Sequence, residues 1–116
     1  MTKENGNMEA ATPKDFFEIT LPKRFDPSKA AGVDVIVQVC ITGANGGNWI
    51  VTIKNQNLAV KEGMHPSPSL SLKMAEKDYL DLVNHKISAE KAFFTGKVHF
   101  KGDIALALKL REAGFL

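Results

Sequence analysis

Residues at every second position set the pattern of the middle of the chain. Over residues 33–42, Val33, Val35, Val37, Val39 and Ile41 share one side, while Asp34, Gln38 and Thr42 share the other with Ile36 and Cys40. That alternation predicts a β-strand with one buried face. Asn45, Gly46, Gly47 and Asn48 tolerate positive φ and predict a hairpin turn. The strand after it turns Trp49, Val51 and Ile53 inward and Thr52 and Lys54 outward. Asn55-Gln56-Asn57 is a second tight connection, into a short strand over 58–61, and residues 63–68 form a proline-bearing loop. Alternation then returns over 69–74, with Leu70, Leu72 and Met74 opposite Ser69, Ser71 and Lys73.

Helical signals flank this block. Thr12 supplies a capping hydroxyl, Pro13 a first helical residue and Asp15 a first-turn acid, so a short helix is expected to carry Phe16, Phe17 and Ile19 and to end at Pro22. Asp26-Pro27-Ser28 repeats the capping pattern before Ala30, Ala31 and Gly32. Residues 75–84 predict a helix burying Tyr79, Leu80 and Val83, and Ser88 caps another that buries Phe93 and Phe94. Gly96 closes that helix, Val98 and Phe100 alternate with Lys97, His99 and Lys101 in a fifth strand, and Gly102-Asp103 opens a last helix over 104–110. Strands with one apolar and one polar face predict an α+β fold of two layers, a five-stranded, mostly antiparallel sheet covered on one face by helices. Residues 1–14 read as a flexible tail and 15–116 as one domain.

Composition narrows the function. A chain of 116 residues with a net charge of +2 and scattered lysines lacks the basic footprint of a nucleic-acid binder. One cysteine, Cys40, precludes an internal disulfide and suits a reducing compartment, so the cytoplasm is the expected location. No signal-peptide core, apolar span of membrane length or peroxisomal tripeptide is written in the sequence.

Candidate chemistry is sparse. His65, His85 and His99 are dispersed and have no His or Cys at metal-ligand spacing, so no metal or other cofactor is expected. Cys40 lies on the mainly polar side of its strand with no histidine at a motif spacing and reads as a partly covered structural thiol. The glycine-rich segment 43–47 joins two strands and opens no helix that could hold a phosphate. No nucleophile elbow, phosphate-binding loop or paired-carboxylate motif appears, and the chain is not expected to be an enzyme. Lys97, His99 and Lys101 read as a solvated strand face, with transient contact to an acidic membrane surface as the other reading.

The segments GGNWIVTIKNQNLAV at 46–60, SLSLKM at 69–74, DYLDLV at 78–83 and AFFTGKVHFKGDIALALKL at 92–110, in that order, resemble the sterol carrier protein type-2 domain family. The resemblance spans about residues 15–113. It implies a non-enzymatic lipid-binding fold with an apolar tunnel between sheet and helices for a fatty acid, acyl-CoA ester, sterol or phospholipid. The inward positions it marks as ligand-binding are Phe25, Val35, Val39, Trp49, Val51, Leu80, Val83, Phe93, Phe94, Leu106 and Leu110. A monomer or weak homodimer is expected. The alternative is a structural or dimerisation module of the same fold without bound lipid. Ala75 departs from the family pattern, standing where many members place a capping serine or threonine. The peroxisomal tripeptide and the tunnel-covering segment of longer members do not transfer.

Overall fold

The computed structural model describes residues 10–103 and 105–106. The first helix, α1, is built of Pro13–Asp15, a π-helical stretch Phe16–Thr20 and a last α-turn Leu21–Arg24. Thr12 caps it, its hydroxyl accepting from the Asp15 N–H at 3.1 Å. Ala10 is buried and exchanges two hydrogen bonds with the Asn84 side chain, at 2.8 and 2.9 Å, which ties this part of the expected tail to the domain.

Pro22 does not end the helix as the sequence suggested. A proline ring crowds the carbonyl four residues back and offers no N–H, yet here the π-type stretch widens the ladder just ahead of it, with the Leu21 N–H on the Phe16 carbonyl. The helix therefore runs on to Arg24, where Phe25 leaves helical geometry. The same widening buries Phe16, Phe17, Thr20 and Leu21 together, while Ile19, expected beside them, is half exposed.

A 3-10 turn, Pro27–Lys29, capped by Asp26, leads into the sheet. Its strands are β1 (Val35–Thr42), β2 (Gly47–Lys54), β3 (Asn57–Glu62), β4 (Leu70–Ala75) and β5 (Val98–Gly102), in the order β3-β2-β1-β4-β5. All neighbours are antiparallel except β1 and β4, which are parallel. The hairpin between β1 and β2 depends on Gly46, where a Cβ would run into the Ile41 carbonyl oxygen.

The parallel pair forces the chain to cross the sheet between β3 and β4. Residues 63–69 do so as a strap on the outer face, fixed by Gln38, a buried amide in the middle of β1. Its Nε2 donates to the carbonyls of Gly63 (3.0 Å) and Trp49 (3.2 Å), and its Oε1 accepts from the His65 N–H (2.7 Å). A glutamine on the nominally polar side of a strand is thereby buried with both ends of its amide bonded, as burial requires.

Two helices complete the described layer, α2 (Glu76–Val83) and α3 (Ala89–Phe94). Ala75 is the N-cap of α2 with extended backbone and no side-chain hydrogen bond, as the departure from the family pattern implied. Tyr79, Leu82 and Val83 form its buried face, with Leu80 partly buried beside them. Gly96 takes φ of +74° after α3, and Asp103 accepts from the Ala105 N–H at 2.8 Å. Of the expected last helix only residues 105 and 106 are described, and both are helical.

Phe93 and Phe94 were expected in the core and are not there. They are 49% and 82% exposed, and Ala92 takes the buried position at 0%. Successive helical residues lie 100° apart, so once Ala89 and Ala92 face the sheet the two phenylalanines must point aside and away.

Candidate functional site

The covered face of the sheet and the inner sides of α1 and α2 enclose an aromatic column. Phe17 is stacked between Trp49 (ring centroids 4.9 Å apart) and Tyr79 (5.6 Å), and Phe16 meets both Phe17 and Tyr79 edge-on. Three different elements supply the column: α1 gives Phe17, β2 gives Trp49 and α2 gives Tyr79. Around it Val35, Val37, Val39, Val51, Ile53 and Val83 are almost fully buried.

Two polar atoms inside this apolar layer, Trp49 Nε1 and Tyr79 OH, have no hydrogen-bond partner among the described residues. A buried, unbonded polar group of this kind is costly in a finished core and gains by a partner such as a water molecule or a ligand. Burial pushes the Tyr79 phenol well above its ordinary acidity range, with the positive charge of Arg24 opposing the shift.

Beside the column a cleft of about 360 Å³ opens between α1 and the edge strand β3. Phe17 and Pro22 form one wall, Trp49, Leu58 and Val60 the floor, and Glu18, Lys61 and Glu62 complete the lining. Register explains the floor: Val60 pairs with Val51, Leu58 with Ile53 and Glu62 with Trp49, so all three side chains of β3 share the covered face.

The structure brings together Val35, Val39, Trp49 and Val51 on the sheet, with Val83 and the partly buried Leu80 facing them from α2. Phe25 and Leu106 pack on the margin of this core as partly buried residues. Phe93 and Phe94 are excluded from it by their exposure, and Leu110 lies outside the described residues. The cleft itself is made largely of residues that the sequence reading placed in elements but not in a site: Phe17, Pro22, Leu58 and Val60. For Leu58 and Val60 the signal was present in their alternation, but only the pairing with β2 shows which face they share.

Residues 18–113 match the model of the SCP-2 sterol transfer family. The chain belongs to that family. It is 33% identical over 79 residues to hydroxysteroid dehydrogenase-like protein 2 of Rattus norvegicus, which covers 66% of this chain and 15% of the relative. It is 32% identical over 70 residues to sterol carrier protein 2 of Homo sapiens, 60% of this chain and 13% of that protein. The match thus spans a small part of each of these longer polypeptides.

Solved structures of SCP-2 type share its architecture. Sterol carrier protein 2 like 2 of Aedes aegypti superposes with a TM-score of 0.60 at 26% identity, covering 80% of this chain and 92% of that one. A palmitated form of the same Aedes aegypti protein gives 0.59, also at 26%, over 83% and 92%. The sec-alkylsulfatase Pisa1 of Pseudomonas sp. gives 0.75 at 25% identity, over 94% of this chain but only 16% of the enzyme.

Proposed function

We propose that this protein binds and transfers a long-chain lipid, taken up through the cleft between α1 and β3 into the apolar layer beneath. The observation that carries the reading is an open cleft with an apolar wall and floor and a charged rim, which runs onto an aromatic column containing two polar atoms without a partner among the described residues. A volume of about 360 Å³ lies in the range of small-molecule sites. Family membership and the palmitated Aedes aegypti structure support a fatty acyl chain as the ligand class.

Burial of a sixteen-carbon chain at ~0.8 kcal/mol per methylene gives about 12 kcal/mol gross. Association and ordering costs bring this to a dissociation constant in the micromolar to nanomolar range. The binding is non-directional, so discrimination among acyl chains is weak. No covalent step is assigned to the site.

Trp49 is the only tryptophan and lines the cleft, so its emission reports occupancy directly. Titration with oleate is expected to change Trp49 emission saturably, and Val60→Asp to weaken the titration at least about tenfold by placing a charge on the apolar floor. An unchanged emission, together with an unliganded mass in native mass spectrometry after oleate addition, refutes the reading.

The higher TM-score with a domain built into a sec-alkylsulfatase favours a second reading, a module that serves within a larger assembly without bound lipid. It predicts self-association in sedimentation velocity and no uptake of oleate.

A further inference from the structure

The face of the sheet turned away from the helices carries charge of one sign. Lys54 on β2, Lys61 on β3, Lys73 on β4, and His99 and Lys101 on β5 are all exposed. Pairing puts them on one side: Lys61 lies opposite Ile50, Lys73 opposite both Cys40 and His99, and Lys101 opposite Ser71. Among the described residues the strands hold one acid, Glu62, and its pairing with Trp49 places it on the covered face. Asp34, just before β1, and Asp103, just after β5, are exposed acidic neighbours at that margin. The acids of the rest of the domain, such as Glu18, Asp78, Asp81 and Glu90, belong to the helices. A net charge of only +2 therefore hides an asymmetry: the open face of the sheet is basic, while the helical side mixes both signs, with Lys14, Lys23 and Lys91 among its acids.

Edge protection accounts for lysines on β3 and β5, the outer strands. It does not account for Lys73 and Lys54, which are on interior strands. The cations are spread over four strands instead of being lined along a groove, which suits a planar array of anionic groups better than a single polymer backbone. Across the middle of the same face runs the strap of residues 63–69, and Met64 on it is 63% exposed, an apolar side chain with nothing over it.

We infer that the open face of the sheet, through Lys54, Lys61, Lys73, His99 and Lys101 with Met64 between them, docks this protein on an anionic lipid bilayer. The inference goes beyond ligand uptake and stands without it, because Lys54, Lys73, His99 and Lys101 lie away from the cleft, and only Lys61, on the edge strand, also touches its rim. Basic side chains at an anionic surface act almost independently, and salt screens them.

The test is co-sedimentation of the full chain with phosphatidylcholine vesicles, with and without phosphatidylserine, in low and high salt. Binding is expected only with phosphatidylserine and only in low salt. K61Q/K73Q/K101Q is expected to lower the partition coefficient about 100-fold, at about fivefold per lysine. K61R/K73R/K101R keeps the binding, and K14Q/K23Q/K91Q on the helical side leaves it within about twofold, since those lysines face away from the bilayer. Melting curves of all variants verify folding. Retention of binding by K61Q/K73Q/K101Q, an equal loss in K14Q/K23Q/K91Q, or equal binding to phosphatidylcholine alone overturns the inference. So does binding to an oligonucleotide in place of vesicles at the same salt.

Discussion

Removing a single oxygen is expected to stabilise this domain. The Tyr79 hydroxyl is buried without a partner among the described residues, while its ring is held by Phe16 and Phe17, at 5.7 and 5.6 Å between centroids. Tyr79→Phe keeps both ring contacts and deletes only the stranded group. Leaving a buried hydroxyl unsatisfied costs about 1–3 kcal/mol, so the variant is expected to gain that amount. For a domain of this size the gain raises Tm by about 3–5 °C per kcal/mol. Urea unfolding followed by Trp49 emission measures it, as a rise in the midpoint at constant slope.

The same group gives a pH signature. The folded-state pKa of Tyr79 is raised by burial, so the folded protein holds this proton more tightly than the unfolded chain. The contribution is fully present below the unfolded value of about 10 and is lost as pH rises beyond it, at about 1.4 kcal/mol per pH unit. Tyr79→Phe removes that loss. Tyr79 is the only tyrosine, so tyrosinate absorbance must appear together with unfolding and not before it. A variant destabilised by about 1 kcal/mol or more, which shows that the hydroxyl is hydrogen-bonded, or tyrosinate in the folded protein near pH 10, which shows that it reaches solvent, refutes the reasoning.

Ala75→Ser supplies the missing cap of α2 and is expected to raise stability by about 0.5–2 kcal/mol in chemical denaturation. Gln38→Ala strands the carbonyls and the N–H that it holds, and is expected to cost about 1–3 kcal/mol and to speed hydrogen exchange at His65. Gly46→Ala drives a Cβ into the Ile41 carbonyl and is expected to cost at least about 1 kcal/mol by thermal melting, since the obstacle is backbone. Phe94→Ser changes stability by less than about 0.5 kcal/mol because the ring is already in solvent, whereas Ala92→Leu overpacks the buried side of α3 and costs about 1–3 kcal/mol.

The strands were legible because period two is a direct image of burial: the inward set from Val33 to Ile41, with Trp49, Val51 and Ile53, is buried in the structure. Short helices were less so. Six residues in α3 make too few turns to show which side is apolar, and two adjacent phenylalanines outweighed the small Ala92 that the packing selects. At Pro22 the usual rule failed because the compensating π-type stretch has no local sequence signature. The cleft was hidden for a different reason. Its floor is defined by the pairing of β3 with β2 and its wall by where α1 comes to rest, and both are contacts between segments far apart in the chain.

The parallel seam has a consequence for how the domain assembles. β1, β2 and β3 form a meander whose contacts are local and close quickly. β4 must instead find β1 across a separation such as the 33 residues between Ile36 and Ser69. Loop closure of that length is slow compared with a hairpin, so the seam between β1 and β4 is the natural late step of folding. Until the strap reaches Gln38, one edge of the central strand is unpaired, and a second copy of the chain can donate its own β4 there. Dilution during refolding is therefore expected to decide between a closed monomer and a strand-exchanged dimer.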